Sequence, residues 1–191
     1  MNLKELIERI REEVRSMLPR GGTHGFEHTE RVYRLALHIG QKVGADLGIL
    51  LPAALLHDIG RGEANHAEAG ARRAREILGK WGVERERIDA IVEAIATHSF
   101  SGGREPRTLE AKVLSDADKL DAMGAIGIYR AATYGGEHRR PLEGFIDHFH
   151  EKLLRLRELM YTDEGRRLAE GRHRFMVEYM EQLRRELNLE A

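Results

Sequence analysis

The chain has 191 residues, 41% of them hydrophobic and 33% charged, and its 31 Lys and Arg against 32 Asp and Glu give a net charge of −1. This balance is typical of a single globular domain and does not favour nucleic acid or an anionic membrane surface as a partner. The absence of Cys excludes disulfides, zinc–thiolate sites and thiol nucleophiles, and the absence of an apolar stretch approaching ~20 residues predicts a cytoplasmic protein with no membrane span.

Hydrophobic residues recur at the helical period along almost the whole chain. The first stripe consists of Leu3, Leu6, Ile7, Ile10, Val14 and Leu18. The same period predicts further helices at about 27–44, 47–57, 65–79, 84–98, 108–122, 124–134, 142–160 and 163–188. The helix at 47–57 is apolar on nearly all sides, which is typical of a central, buried helix. Because no segment alternates with a period of two, we expect an all-α fold with a single domain over residues 1–191.

Histidines and carboxylates recur at positions where the predicted helices face inward. Six such residues lie at or near a helix end: His28, His57, Asp58, His66, His98 and Asp118. Each of them alone has an ordinary explanation, such as a hydrogen-bonded core histidine, a helix cap or a solvated acid. Asp58 raises the sharpest question, because an unpaired carboxylate at the end of a buried helix is costly. The hypothesis of a functional site therefore depends on the presence of all six residues together and not on any one of them.

A divalent metal ion would answer that question. It would neutralise Asp58 and accept imidazole nitrogens, and without sulfur ligands the site suits Mn, Fe, Co, Ni or Zn, with Mg as a further candidate. Water bound to such an ion can ionise near pH ~7, and the ion also polarises a phosphoryl oxygen. The ligand types therefore favour phosphoester cleavage.

Three motifs in this order resemble those of the HD-domain metal-dependent phosphohydrolases. They are "HGFEHTERV" with His28, "LLHDIG" with His57 and Asp58, and "DADKLDA" with Asp118. The later segment "HFHEKLLRLRELMYTDEGRRLAEGRHRFM" resembles the C-terminal helices of a small, free-standing branch of that superfamily. The resemblance implies an HD-type helical bundle, with a metal-binding core at about 23–134 and C-terminal helices at about 142–188 packed on it. It also implies that these four residues bind the metal.

The resemblance further implies roles for residues around the metal. In some HD proteins two additional histidines hold a second ion that the Asp of the His–Asp pair bridges, and here they match His66 and His98. The alternative is that both histidines bind substrate phosphate beside a single ion, which we favour slightly. Asp58 and Lys119 are the predicted catalytic residues, with Asp116 and Asp121 orienting an imidazole or a water.

His24, Arg31 and Arg61 are predicted, with Lys119, to contact the anionic substrate. Family members that hydrolyse nucleoside monophosphates carry an acidic residue three positions after the Asp of the pair, where this chain has Arg61. The monophosphate mechanism is therefore disfavoured, and the general acid is not identified by the sequence.

The leading hypothesis is a metal-dependent phosphohydrolase that cleaves a nucleotide or related small phosphoester by a metal-activated water. One alternative is an RNA or nucleic-acid phosphodiesterase, because the stretch "HAEAGARRA…IVEAIATHSF" also resembles the HD region of certain endoribonucleases. Two others are a non-catalytic HD signalling module and a di-iron oxygenase with the same six ligands. The sequence leaves open the substrate, the native metal, the number of ions and whether the chain forms a homo-oligomer.

Overall fold

The computed structural model describes residues 1–99 and 104–190. Its α-helices are α1 Leu3–Met17, α2 Phe26–Val43, α3 Leu47–Leu56, α4 His66–Lys80, α5 Arg85–Thr97, α6 Leu109–Asp121, α7 Gly124–Glu137, α8 Leu142–Glu151 and α9 Asp163–Leu187. A 3-10 helix, Leu153–Leu159, lies between α8 and α9. The described residues contain no β-strand, which confirms the all-α prediction. None of the helices in these ranges is both long and apolar enough to cross a lipid bilayer.

The chain divides into two units, Met1–Asp118 and Lys119–Ala191, and the boundary falls within α6. In the first unit, α3 lies at the centre and contacts α1, α2, α4 and α5. Every residue from 50 to 60 is buried. The prediction of a central, buried helix is therefore confirmed, and its last residues lead directly into the His–Asp pair.

Local sequence defines both ends of α3. The Asp46 side chain caps the helix by accepting a hydrogen bond from the Gly48 amide at 2.7 Å. Beyond the last turn the chain reverses at Gly60, where a Cβ atom would lie 2.3 Å from the backbone nitrogen of Gly70 and from the carbonyl oxygen of His66. Only glycine permits this approach of backbone to backbone. The turn after α3 thus packs directly on the start of α4.

In the second unit, α9 packs against α7 and the 3-10 helix, and α8 contacts both of these elements as well. Its core includes Phe149, Ala169 and Met176, which are fully buried. Asp121 and Arg130 form a buried ion pair at 3.1 Å. The unit therefore combines an apolar core with one buried charged contact.

The prediction of one continuous helix over 142–160 is wrong. Helix α8 ends at Glu151, and Lys152 leaves the helical region with φ −129° and ψ −62°. The following residues form a 3-10 helix in which Leu153 and Leu156 are buried. This spacing of three matches the 3.0 residues per turn of a 3-10 helix, whose side chains at i and i+3 eclipse. Burial of both leucines on one side therefore favours the tighter helix, although neither Gly nor Pro occurs from residue 145 to residue 160.

Candidate metal centre

Four elements of the first unit bring the predicted ligand residues together. His28 projects from the first turn of α2, and His57 and Asp58 follow the last turn of α3. Asp118 lies on α6, and His98 is the residue at which α5 ends. Both imidazoles of His28 and His57 and the Asp58 carboxylate are fully buried, whereas the Asp118 side chain is 27% exposed. The cluster thus has one partly open side, at Asp118.

The donor atoms of His28, His57, Asp58 and Asp118 converge. The two Nε2 atoms of His28 and His57 lie 3.3 Å apart. His28 Nε2 is 3.4 Å from Asp118 Oδ1 and 3.6 Å from Asp58 Oδ2. His57 Nε2 is 3.9 Å from one oxygen of each carboxylate. Two nitrogens and two carboxylate groups therefore surround one small volume.

Hydrogen bonds to the backbone determine which histidine nitrogens can bind a metal. His57 Nδ1 donates to the carbonyl of Ala54 at 2.8 Å, and His98 Nδ1 donates to the carbonyl of Ile95 at 2.6 Å. The neutral rings consequently present bare Nε2 lone pairs. His98 Nε2 is buried without a hydrogen-bond partner. A hydrogen bond donated by Nδ1 to a carbonyl oxygen in this way is typical of metal-binding histidines.

Three overlapping sets of side chains in the described ranges have donor atoms that all lie within 4.8 Å of one another. The first is His24, His28 and Asp58, the second is His28, His57 and Asp118, and the third is His57, Asp58 and His98. All donors are imidazole nitrogens or carboxylate oxygens, which suit first-row divalent ions. The residues present therefore fit a divalent metal.

The electrostatics of the cluster favour ionised Asp58 and Asp118 and neutral His57 and His98. Burial lowers the pKa of His57 and lowers that of His98 to about 4. Burial by itself would raise the pKa of Asp58, but His57 and His24 outweigh it and hold that pKa well below its usual range. The pKa of Asp118 is also well below its usual range, because its interaction with His28 outweighs burial. Ionised carboxylates and neutral imidazoles are the forms that bind metal.

Asp58 has two further partners that lie outside this core. Arg61 Nη2 donates to Asp58 Oδ1 at 2.9 Å, and His24 Nδ1 lies 3.0 Å from Asp58 Oδ2. Both partners are about one-third exposed. We predicted that these two side chains contact an anionic substrate, and the structure brings each of them onto the carboxylate itself. The sequence alone did not indicate either contact.

The imidazole cluster extends beyond the core through His98 to His66. Ring centroids are 5.1 Å apart for His57 and His98, and 5.8 Å apart for His98 and His66. Burial, followed by the charge of Arg61, lowers the pKa of His66. The reversal at Gly60 places His66 beside the cluster, despite the short connection from Asp58.

Ser115 is a residue of this region that sequence reasoning missed. Its buried hydroxyl donates to the carbonyl of His98 at 2.9 Å and so ties the end of α5 to α6. Ser115 precedes Asp118 by three residues, which places both on neighbouring positions of one helical face. That spacing is the signal that could have identified it.

The other predicted site residues take varied positions. Arg31 is partly buried on α2, and Asp116 is fully buried on α6. Lys119 belongs to the second unit, is nearly buried, and has its Nζ atom 4.6 Å from the centre of the Tyr161 ring. Asp121 pairs with Arg130. The roles assigned to Lys119, Asp116 and Asp121 stay predictions.

Comparison with known proteins identifies the family. The family model of the HD domain matches residues 25–123. The chain belongs to the HD-domain hydrolase superfamily. YpgQ of Bacillus subtilis is 38% identical over 97% of this chain and 96% of its own length. The crystal structure of YpgQ in complex with ADP superimposes with a TM-score of 0.84, at 37% identity over 97% of both chains.

Other HD proteins extend the comparison. The structure of an HD-superfamily hydrolase from Bacillus thuringiensis gives a TM-score of 0.82, with 34% identity over 98% of this chain and 99% of that one. Ribonuclease Y of Chloroflexus aurantiacus is 36% identical over 104 residues, which are 52% of this chain and 18% of that protein. The full-length matches are thus to small HD proteins, and the match to the ribonuclease is confined to part of it.

Proposed function

We propose that this chain is a metal-dependent phosphohydrolase that acts on a nucleotide or a related small phosphoester. The observation that carries the proposal is the convergence of donor atoms from His28, His57, Asp58 and Asp118 within one HD domain. In this proposal the four residues hold a divalent ion. When bound, such an ion polarises phosphoryl oxygens and lowers the pKa of water into the neutral range.

The protein's own groups prepare this site. His57 donates through Nδ1 to the Ala54 carbonyl, so its Nε2 lone pair is oriented inward before any ion arrives. Asp58 and Asp118 supply two negative charges that offset the charge of a divalent ion. Asp118 is the partly exposed member of the set, and in this proposal solvent and substrate enter on its side.

Arg61 and His24 are the groups we propose for binding the substrate's phosphates. Each contacts one oxygen of Asp58 and is about one-third exposed, so each can turn towards a ligand. A guanidinium matches the geometry of phosphate oxygens and carries a permanent charge. Arg61 in place of an acid favours a substrate with more than one phosphate, and the complex of YpgQ with ADP supports a nucleotide of this kind.

His98 and His66 have two candidate roles, as ligands of a second ion or as contacts to substrate phosphate. The unpartnered Nε2 atom of His98, together with nearby atoms of His57 and Asp58, supports the first role. The effect of the Arg61 charge on the pKa of His66 supports the second role, because both groups would then face the same anion. The two roles differ in metal stoichiometry, which is measurable.

The direct test is a comparison of two histidines on the same helix. His28→Gln should abolish tight Mn²⁺ binding and lower metal-dependent phosphate release from ADP by at least about a hundredfold, because one of four ligands is lost. His38→Gln, at an exposed position of α2, is the matched control and should behave like the wild type. Unchanged Mn²⁺ affinity in His28→Gln would contradict the assignment.

The same assay separates a second candidate function. The similarity to ribonuclease Y favours phosphodiester cleavage in RNA as the alternative. An RNA oligonucleotide cleaved under conditions in which ADP, ATP and phosphomonoesters are stable would establish that alternative instead. Loss of either activity in His28→Gln would assign it to the same centre.

A further inference from the structure

Three basic side chains in the second unit lie together without an acidic partner. Arg140 precedes α8, His148 lies within that helix, and Lys152 is the residue at which it ends. Gly144, His148 and Lys152 follow one another at intervals of four residues, which places them along one side of α8. In the part of the chain that the structure describes, no carboxylate pairs with Arg140, His148 or Lys152.

The position of Arg140 is built by its neighbours. A Cβ atom at Gly144 would lie 3.3 Å from Arg140 Cγ, and one at Gly135 would lie 3.7 Å from Arg140 Cβ. The side chain therefore runs between α7 and α8, close to the first turn of α8. Its guanidinium carbon lies 4.9 Å from the centre of the Tyr134 ring. These contacts hold the charged group in one place.

The guanidinium is not satisfied by the protein. Arg140 Nη1 is buried without a hydrogen-bond partner, and the described residues provide no acceptor for its other nitrogens. Burying part of a charged group without an acceptor is unfavourable, and stacking on Tyr134 offsets only part of that cost. Burial and the charges of Arg140 and Lys152 lower the pKa of His148, which shows that like charges meet here. An anion would relieve both effects.

We propose that Arg140, His148 and Lys152 form a binding site for a phosphoryl group. A guanidinium group can bind two phosphate oxygens at once, and His148 and Lys152 add hydrogen-bond donors along the same face of α8. This site uses none of the residues assigned to the metal centre, and its test does not depend on the hydrolase proposal.

The test measures binding of inorganic phosphate by calorimetry at constant ionic strength, in the wild type and in Asp58→Ala. The wild type can also bind phosphate at the metal centre, whereas Asp58→Ala disables that centre, so we expect about one phosphate per chain that depends on Arg140 in both proteins. Arg140→Met should weaken this binding at least about tenfold, since charge-assisted hydrogen bonds are lost. Arg155→Met removes an exposed arginine of the same unit and should change the affinity less than about twofold. Absence of binding in Asp58→Ala, or equal affinity in Arg140→Met, would overturn the proposal.

A pair of glycine variants separates the position of Arg140 from its charge. Gly144→Ala would push on Arg140 Cγ at 3.3 Å, whereas Gly135→Ala makes an ordinary contact at 3.7 Å. Both are helical positions at which alanine is favoured over glycine, so neither variant should unfold the protein. We expect weaker phosphate binding in Gly144→Ala alone, and equal affinities in the two variants would argue against a preformed site. A parallel titration with glycerol phosphate distinguishes a phosphomonoester from free phosphate, and binding of either with the same dependence on Arg140 supports the site.

Discussion

Gly60→Ala should be one of the most destabilising single-methyl changes in the first unit. The added Cβ would lie 2.3 Å from Gly70 N and from His66 O, and 2.9 Å from the carbonyl carbon of Ala69. All three atoms belong to the backbone of α4, so no side-chain rotation relieves the overlap. Ordinary contacts of this kind are about 3.4 Å or longer, and the turn after α3 must therefore move from α4 by about 1 Å.

The expected magnitude follows from that overlap. Overpacking a well-packed interior costs about 1–3 kcal/mol, and a rigid backbone partner favours the upper end. A loss of about 3 kcal/mol corresponds to a fall in Tm of roughly 6–12 °C for a chain of this length. The matched control is Gly79→Ala, since Gly79 lies on α4 and a Cβ atom there would meet no atom within 4 Å. It should be neutral or stabilising by up to about 1 kcal/mol, because alanine favours the helix.

The assay is urea unfolding followed by the fluorescence of Trp81, the only tryptophan of the chain, which lies at the end of α4. It reports on the element against which the added methyl group pushes. If Gly60→Ala and Gly79→Ala unfold at the same urea concentration, the backbone approach between the turn and α4 is not as close as described. The explanation of why glycine follows the His–Asp pair would then be refuted.

Three further predictions address protonation, metal stoichiometry and buried charge. Burial lowers the pKa of His98 to about 4 from 6.5, so the folded chain binds this proton more weakly than the unfolded chain. Metal-free protein in EDTA should therefore lose about 2 kcal/mol from this group as the pH falls from 7.5 to 5, and His98→Asn should show a correspondingly flatter profile in urea titrations. If His98 and His66 hold a second ion, His98→Ala and His66→Ala should each lower bound Mn²⁺ from about two ions per chain to about one. If the two histidines bind substrate phosphate instead, each variant should keep the Mn²⁺ content of the wild type and raise the KM for the substrate. Arg130→Met should cost about 3–5 kcal/mol by leaving Asp121 buried without this partner, and the double variant Asp121→Leu/Arg130→Met should recover much of that loss in thermal melts.

Much of the fold follows from local sequence. Helical periodicity depends on residues three and four apart, so the bounds of α2 to α6 are predicted to within about two residues. The uniformly apolar composition of 47–57 likewise predicts a central helix, because such a segment has no side to expose. The order of His28, His57, Asp58 and Asp118 along the chain was sufficient to indicate the HD superfamily.

Other features depend on how distant segments pack, and no local pattern reports them. The contacts of Asp58 with His24 and of Ser115 with His98 join residues 34 and 17 positions apart. The break after α8 occurs in a segment of good helix formers, where burial of leucines at a spacing of three prevails over propensity.

The same reasoning applies to charge. Sequence alone does not distinguish a fully solvated arginine from Arg140. The Arg140 side chain packs against two glycines and an aromatic ring, and its buried Nη1 atom has no hydrogen-bond acceptor. Propensity and periodicity thus determined the helices and the superfamily motifs. Only the tertiary structure decided which polar groups meet, because the energy of such a contact depends on burial and on atoms contributed by other elements.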